Sequence, residues 1–181
     1  MPRLTPFPAA LATLALLTLG ACNDDNANRL DRISNDISTN TGEVIGTVTL
    51  TSLGTDGVQV DVIVNDILSG THAMHFHEFG KCEAPDFKSS GGHFNPDGKA
   101  HGMNMPDGPH AGDMMNVEAD AAGNGIFSVI NDRVSLRGDY DLPALLDADG
   151  TALILHERAD DYETQPTGAA GARIGCAVIG G

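Results

Sequence analysis

The segment GTHAMHFHEFGKC, residues 70–82, packs three of the chain's seven histidines into six positions. Residues two apart on a strand point the same way, so His75 and His77 present neighbouring imidazoles while Phe76 turns to the opposite face. Two neighbouring imidazoles can chelate one metal ion. His72 has the other parity and reads as structural, a ring bonding to backbone rather than to metal. By itself, His-x-His is as readily a surface pair as a metal site.

The remaining histidines change that balance. His93, His101 and His110 fall with Asp113 in one stretch, GGHFNPDGKAHGMNMPDGPHAGD. Three imidazoles and a carboxylate suit tetrahedral zinc. His156 ends an apolar run, LILH. Together with His75, His77 and one of the loop histidines it would make a four-nitrogen set, which suits tetragonal Cu(II). That is seven donors for two four-coordinate ions, so one ligand is shared or one site keeps an open position.

Strands must position these donors. VIGTVTLTS (44–52) alternates, with Val44, Val48 and Leu50 on one face, and VQVDVIVN (58–65) does the same with Val58, Val60, Val62 and Val64. GTDG between them is turn chemistry, so the pair reads as an antiparallel hairpin with one wet side. THAMHFHEF (71–79) reads as the next strand, NVEAD and GIFSVIND as a second hairpin, and TALILHE (151–157) and RIGCAVIG (173–180) as the last two. RISNDIS is a weak first strand at most. With 22 glycines, no tryptophan and no sustained helical period, the composition favours an antiparallel sandwich or barrel. From Gly80 to Met114 no strand is evident, and loops of that length in a compact domain are usually functional.

The motifs HAMHFHEFG, GGHFNPDGKAHG, HAGD, LILHERADDY and GARIGCAVIG resemble the copper/zinc superoxide dismutases, specifically their bacterial periplasmic branch. The likeness covers residues 42–181. It implies an all-β Greek-key sandwich or flattened barrel, immunoglobulin-like, with a long metal-binding loop and a shorter electrostatic loop; this architecture is known to host that family. It further implies copper ligands His75, His77, His93 and His156, and zinc ligands His93, His101, His110 and Asp113, one ion of each per subunit. His93 would be the shared bridging imidazolate and a proton donor in the cycle. Asp160 would hydrogen-bond His75 and His101 together, Arg173 would stand above the copper at the channel mouth, and Cys82 and Cys176 would form the family disulfide. The implied reaction converts superoxide to dioxygen and hydrogen peroxide as copper cycles between Cu(II) and Cu(I), protecting the cell envelope. Glu163 stands where bacterial members often have a lysine, so slower capture of superoxide is expected.

Residues 1–21 read as a leader: Arg3, an apolar run, then LGAC, which resembles the lipobox of bacterial lipoproteins. Cleavage before Cys22 and acylation of its thiol are expected, with residues 22–41 as a polar tether and a periplasmic location, the outer membrane favoured. If Cys22 carries lipid, Cys82 and Cys176 remain to pair in an oxidising compartment; two free buried thiols are the alternative. The formal charge of −15 becomes −16 once Arg3 leaves with the leader, which argues against nucleic acid or anionic membrane as a partner, leaving contact with membrane to the lipid alone. Monomer and homodimer both remain open. The competing functional readings are a non-catalytic periplasmic copper or zinc protein and a cupin-type enzyme. The first leaves Arg173 without a role, and the second leaves His101, His110 and Asp113 idle.

Overall fold

Val58, Val60, Val62 and Val64 are all completely buried in β3 (Val58–Val64), while Gln59 and Asp61 face outward. Each such valine contributes roughly 1.5–2 kcal/mol of burial, against the entropy of ordering it. The computed structural model that shows this describes residue 1 and residues 31–180. The leader, Cys22 and the tether as far as residue 30 lie outside the described residues.

β2 (Val44–Ser52) pairs with β3 antiparallel, and a 3-10 turn at Gly54–Asp56 joins them. Val48 and Leu50 are buried as the alternation requires, but Val44 is 56% exposed and Ile45 takes the inward place. The pairing register of β2 with the preceding strand shifts at Ile37/Ser38, which rotates the start of β2 by one residue.

That preceding strand is β1 (Arg32–Ser38), the RISNDIS segment. It has only two apolar residues, yet every position pairs with β2, Ser38 also pairs with Cys176, and Ile37 is fully buried. The ladder makes this strand, not its propensity. Residues 32–38, the latter part of the expected tether, are thus barrel wall.

The expected strand over 71–79 is two strands, β4 (Gly70–His72) and β5 (Met74–His77). The break is Ala73, whose N–H donates to the Arg158 carbonyl and whose own carbonyl accepts from His156 N–H. β6 (Val117–Ala119), β7 (Gly125–Asn131), β8 (Ala152–His156) and β9 (Arg173–Val178) follow. Among the described residues there is no α-helix.

Seven strands form one antiparallel sheet in the order β5-β8-β9-β1-β2-β3-β7, and β4 pairs with β6 in a small second sheet. β4 runs on into β5 and β6 turns into β7, so the small sheet joins the two edges of the large one and closes a flattened barrel. β3 lies beside β7, not β4, and β8 beside β5, not β7. These crossings are the Greek-key connections the sequence led us to expect. The second hairpin is accordingly only a turn: Asp120 N–H donates to the Asn124 carbonyl, but no ladder joins β6 to β7. The core lies inside, where Met74, Phe76, Leu153 and Leu155 meet the valines of β3.

Cys82 and Cys176 are disulfide-bonded, 94 residues apart. They pack with Phe87, Ala152 and Ile154 in a second, smaller apolar cluster outside the barrel wall. Closing so long a loop is worth about 4 kcal/mol in the chain-entropy view. Replacing both cysteines by serine is expected to lower the unfolding free energy by about that much, read from the urea midpoint. An unchanged midpoint would mean that Phe87 packing, not the cross-link, holds the segment.

Candidate metal centre

In the β5–β8 ladder His75 lies opposite Ile154 and His77 opposite Ala152. Ala152, Ile154 and His156 alternate along β8, so all three histidines share the outer face of the barrel wall. A register shift at Leu155/His156 sets His156 opposite Arg173, the first residue of β9. Bulges are a common way to re-aim a side chain beside a site.

The long segment between β5 and β6 covers this face. β5 is an edge strand, and its free edge is hydrogen-bonded by the segment: Phe76 N–H to the Gly112 carbonyl, Phe94 N–H to the Phe76 carbonyl, Glu78 N–H to the Gly92 carbonyl. Isolated bridges then set Asp113 opposite His75 and His93 opposite His77. Covering an open edge is a structural necessity, and here it carries the loop donors onto the histidine face.

Two groups result, each able to hold a metal ion: His75, His77, His93 and His156, and His93, His101, His110 and Asp113, with the offered ligand atoms of each group within 4.8 Å of one another. Every one of these side chains is buried. The ring His93 belongs to both. His72 is outside both groups: its Nδ1 lies 2.8 Å from the His156 carbonyl oxygen and its Nε2 2.7 Å from that of Leu68, the backbone role its parity indicated.

The hydrogen bonds say which ring nitrogens are free. His77 Nδ1–H donates to the Gly91 carbonyl at 3.0 Å and His75 Nε2–H to Asp160 Oδ2 at 2.8 Å. What remains is His75 Nδ1, His77 Nε2, His93 Nε2 and His156 Nε2, four buried nitrogens without any hydrogen-bond partner. Unpartnered buried polar atoms are rare and costly, and four converging lone pairs fit a four-nitrogen metal site. In the second group His93 Nδ1 and His110 Nδ1 are 3.4 Å apart, His93 Nδ1 is 2.9 Å from Asp113 Oδ1, and His101 Nδ1 is 3.0 Å from Asp113 Oδ2 without hydrogen-bond alignment. Three ring nitrogens and a carboxylate thus face one point, the donor set zinc prefers.

Asp160 lies behind both groups, on the segment between β8 and β9. Its Oδ2 takes His75 Nε2–H, and its Oδ1 takes His101 Nε2–H at 3.0 Å and Tyr162 N–H at 2.6 Å. Both rings are thereby held with Nδ1 inward. Gly168, at φ 64°, sits against this carboxylate; a Cβ there would come within 1.9 Å of Asp160 Oδ1. Asn116, with no motif around it, clasps the main chain of Asp160 from both sides: Nδ2–H to its carbonyl at 3.0 Å, and Oδ1 from its N–H at 2.8 Å. Gln165 does the same for His101. Neither residue is legible in the sequence, because side-chain-to-backbone clasps across dozens of residues leave no spacing pattern.

Arg173 is half-buried. Its Nη1 donates to the Phe87 carbonyl at 2.8 Å and to Ser90 Oγ at 3.0 Å, and its Nη2 donates at 2.8 Å to the same Gly91 carbonyl that holds His77. No carboxylate lies within ion-pair distance of it among the described residues. Its guanidinium is fixed beside the four-nitrogen group with its charge available.

Protonation divides the two groups. Burial, then neighbouring rings, hold His77 well below its ordinary 6.5, His93 at about 4 and His156 at about 2, so these are neutral ligands at neutral pH. For His101 burial opposes the charge, but the neighbouring carboxylates of Asp113 and Asp160 outweigh it and raise the ring to about 9. Burial likewise opposes ionisation of Asp113 and Asp160, and the histidines around them win, holding both carboxyls below the usual range. In the metal-free protein the raised ring stabilises the fold fully below pH 6.5 and loses that contribution as pH climbs through about 9; the lowered rings destabilise it as pH falls below 6.5 toward 4. Metal-free protein is thus expected to be most stable near pH 6.5, measured by denaturant unfolding from pH 4 to 10. A stability still rising through pH 9 would show that His101 is not held as a cation.

Residues 44–179 match the family profile of copper/zinc superoxide dismutase. The chain is 43% identical over 145 residues to a copper–zinc superoxide dismutase of Aquifex aeolicus, spanning 80% of this chain and 85% of that one. It is 42% identical over 139 residues to the copper–zinc superoxide dismutase of Caulobacter vibrioides, spanning 76% and 79%. The crystal structure of a dismutase-like protein from Bacillus subtilis superposes with a TM-score of 0.76 at 37% identity, covering 81% of this chain and 97% of that one. By these matches the chain belongs to the copper/zinc superoxide dismutase family.

Proposed function

We propose that this protein disproportionates superoxide to dioxygen and hydrogen peroxide. The observation that carries the reading is His93, whose Nε2 is unpartnered toward His75, His77 and His156 while its Nδ1 faces Asp113 and His110. When bound, copper at the four-nitrogen group supplies a one-electron couple between Cu(II) and Cu(I), and zinc at the second group supplies a fixed positive charge. His93 is then a proton carrier: Nε2 takes up a proton in one half of the cycle and delivers it in the other. Asp160 keeps His75 and His101 in one tautomer throughout.

Arg173 is the residue that draws the anion in. A strongly negative chain repels superoxide at long range, and local positive charge at the channel has to overcome that; dismutases are a standard example of such steering. Lys88 lines a cavity of about 610 Å³ with Arg173, but its ammonium pairs with Asp86 at 2.6 Å. Glu163 is exposed on the segment between β8 and β9, with its carboxylate 3.4 Å from Asn104 Nδ2 on the metal loop.

Export through the leader 1–21 and lipid attachment at Cys22 complete the proposal. The site would then work in the periplasm, tethered to a membrane, as the polar segment after Cys22 favours.

Pulse radiolysis of the copper- and zinc-loaded protein, with chelator suppressing free copper, is expected to show fast superoxide decay that His156→Ala abolishes. No decay above the chelated blank, with both metals bound, would instead indicate a metal-handling protein. Glu163→Lys is expected to raise the rate several-fold at low ionic strength and to steepen its salt dependence; an unchanged rate and slope would remove Glu163 from the account. Acylation is read by intact mass, which should show a lipid increment lost in Cys22→Ser.

A further inference from the structure

The turn Ala111–Gly112–Asp113 delivers the carboxylate on which His93, His101 and His110 converge, and each of its three carbonyls is gripped from outside. Gly112 is held by Phe76 N–H of β5 at 3.0 Å. Ala111 is held by Asn131 Nδ2–H at 2.9 Å, from the buried end of β7. Asp113 is held by Arg133 Nη2–H at 2.6 Å. Asn131 Oδ1 also accepts Arg133 N–H at 3.0 Å, so the two residues act as one clasp.

Arg133 is an expensive choice for this position. Its side chain is 30% exposed, its Nε is buried without a partner, and its second amino group reaches only the exposed Asp132. A donor left unpaired inside the protein costs stability, and a residue fastened only for packing would not need a guanidinium. What the guanidinium does supply is a charge-assisted bond to the carbonyl of a residue whose carboxylate is negative and buried. The carboxylate is meanwhile oriented from the other side, by Gly102 N–H and His110 N–H on Oδ2 at 2.9 and 3.0 Å.

We infer that Arg133 is a positioning residue of the second metal group: by fixing the main chain of Asp113 it holds the carboxylate in the place where three imidazoles meet it. This rests on the reading of His93, His101, His110 and Asp113 as a zinc site.

The test is metal binding by the full chain, stripped of metal and titrated with zinc against a competing chelator, and with cobalt(II) followed by its visible absorption. Wild type should bind with a tetrahedral cobalt spectrum that His110→Ala loses. If wild type shows no such spectrum, or His110→Ala is unaltered, the zinc-site reading itself fails. Given that control, Arg133→Met should weaken zinc by ~10- to 100-fold, the usual effect of losing a group behind a metal ligand. It should also alter the cobalt bands. Arg133→Lys, which keeps the charge without the fork, should recover part of the loss. If zinc affinity in both variants stays within about twofold of wild type, the inference is overturned, even if the melting temperature of the metal-free protein falls. If Arg133→Met does not fold, Arg133→Lys and Arg133→Gln decide on the same scale.

Discussion

The unsatisfied backbone edge of β5 governs this molecule. A strand paired on one side only must have its other N–H and C=O groups met, by water, by another chain or by its own. Here the metal loop meets them, through Phe76, Phe94, Glu78 and their partners. That ladder-like contact is what brings His93 to His77 and Asp113 to His75. β5 is therefore buried on both faces, by the barrel core on Met74 and Phe76 and by the loop on His75 and His77. The same hydrogen bonds that protect the edge assemble the donors.

Charge is arranged around that geometry with economy. Two carboxylates, Asp113 and Asp160, serve four of the six imidazoles, His75, His93, His101 and His110. Asp113 is a donor among the second group, and Asp160 fixes two rings from behind. The four-nitrogen group holds no carboxylate, and burial keeps His77, His93 and His156 neutral; the second group is built around Asp113, whose carboxylate with that of Asp160 favours a proton on His101. The two halves of one pocket thus enter metal binding in different protonation states, with His93 as their common member.

The alternation of β3 and the parity of His75 and His77 were legible because both depend only on the two-residue period of a strand. The residues that gather in the two donor groups were named through motif resemblance. β1 was hardly legible: two isoleucines in seven residues give little pattern, and the strand exists because β2 and β9 offer it partners. Val44 misled for a related reason, since a register shift is a property of two strands and appears in neither alone. The break at Ala73 and the clasps by Asn116, Gln165 and Arg133 are likewise relations between distant segments. They leave no mark on composition or spacing.

β9 carries Arg173 at its start and Cys176 within it, and it lies between β8 and β1. Without it β1 and β8 have no common neighbour, Cys82 has no partner and the four-nitrogen group has no guanidinium beside it. One short strand is thus the keystone: the barrel wall, the cross-link and the charge at the site are a single failure unit, so a lesion that loosens these six residues would open all three at once.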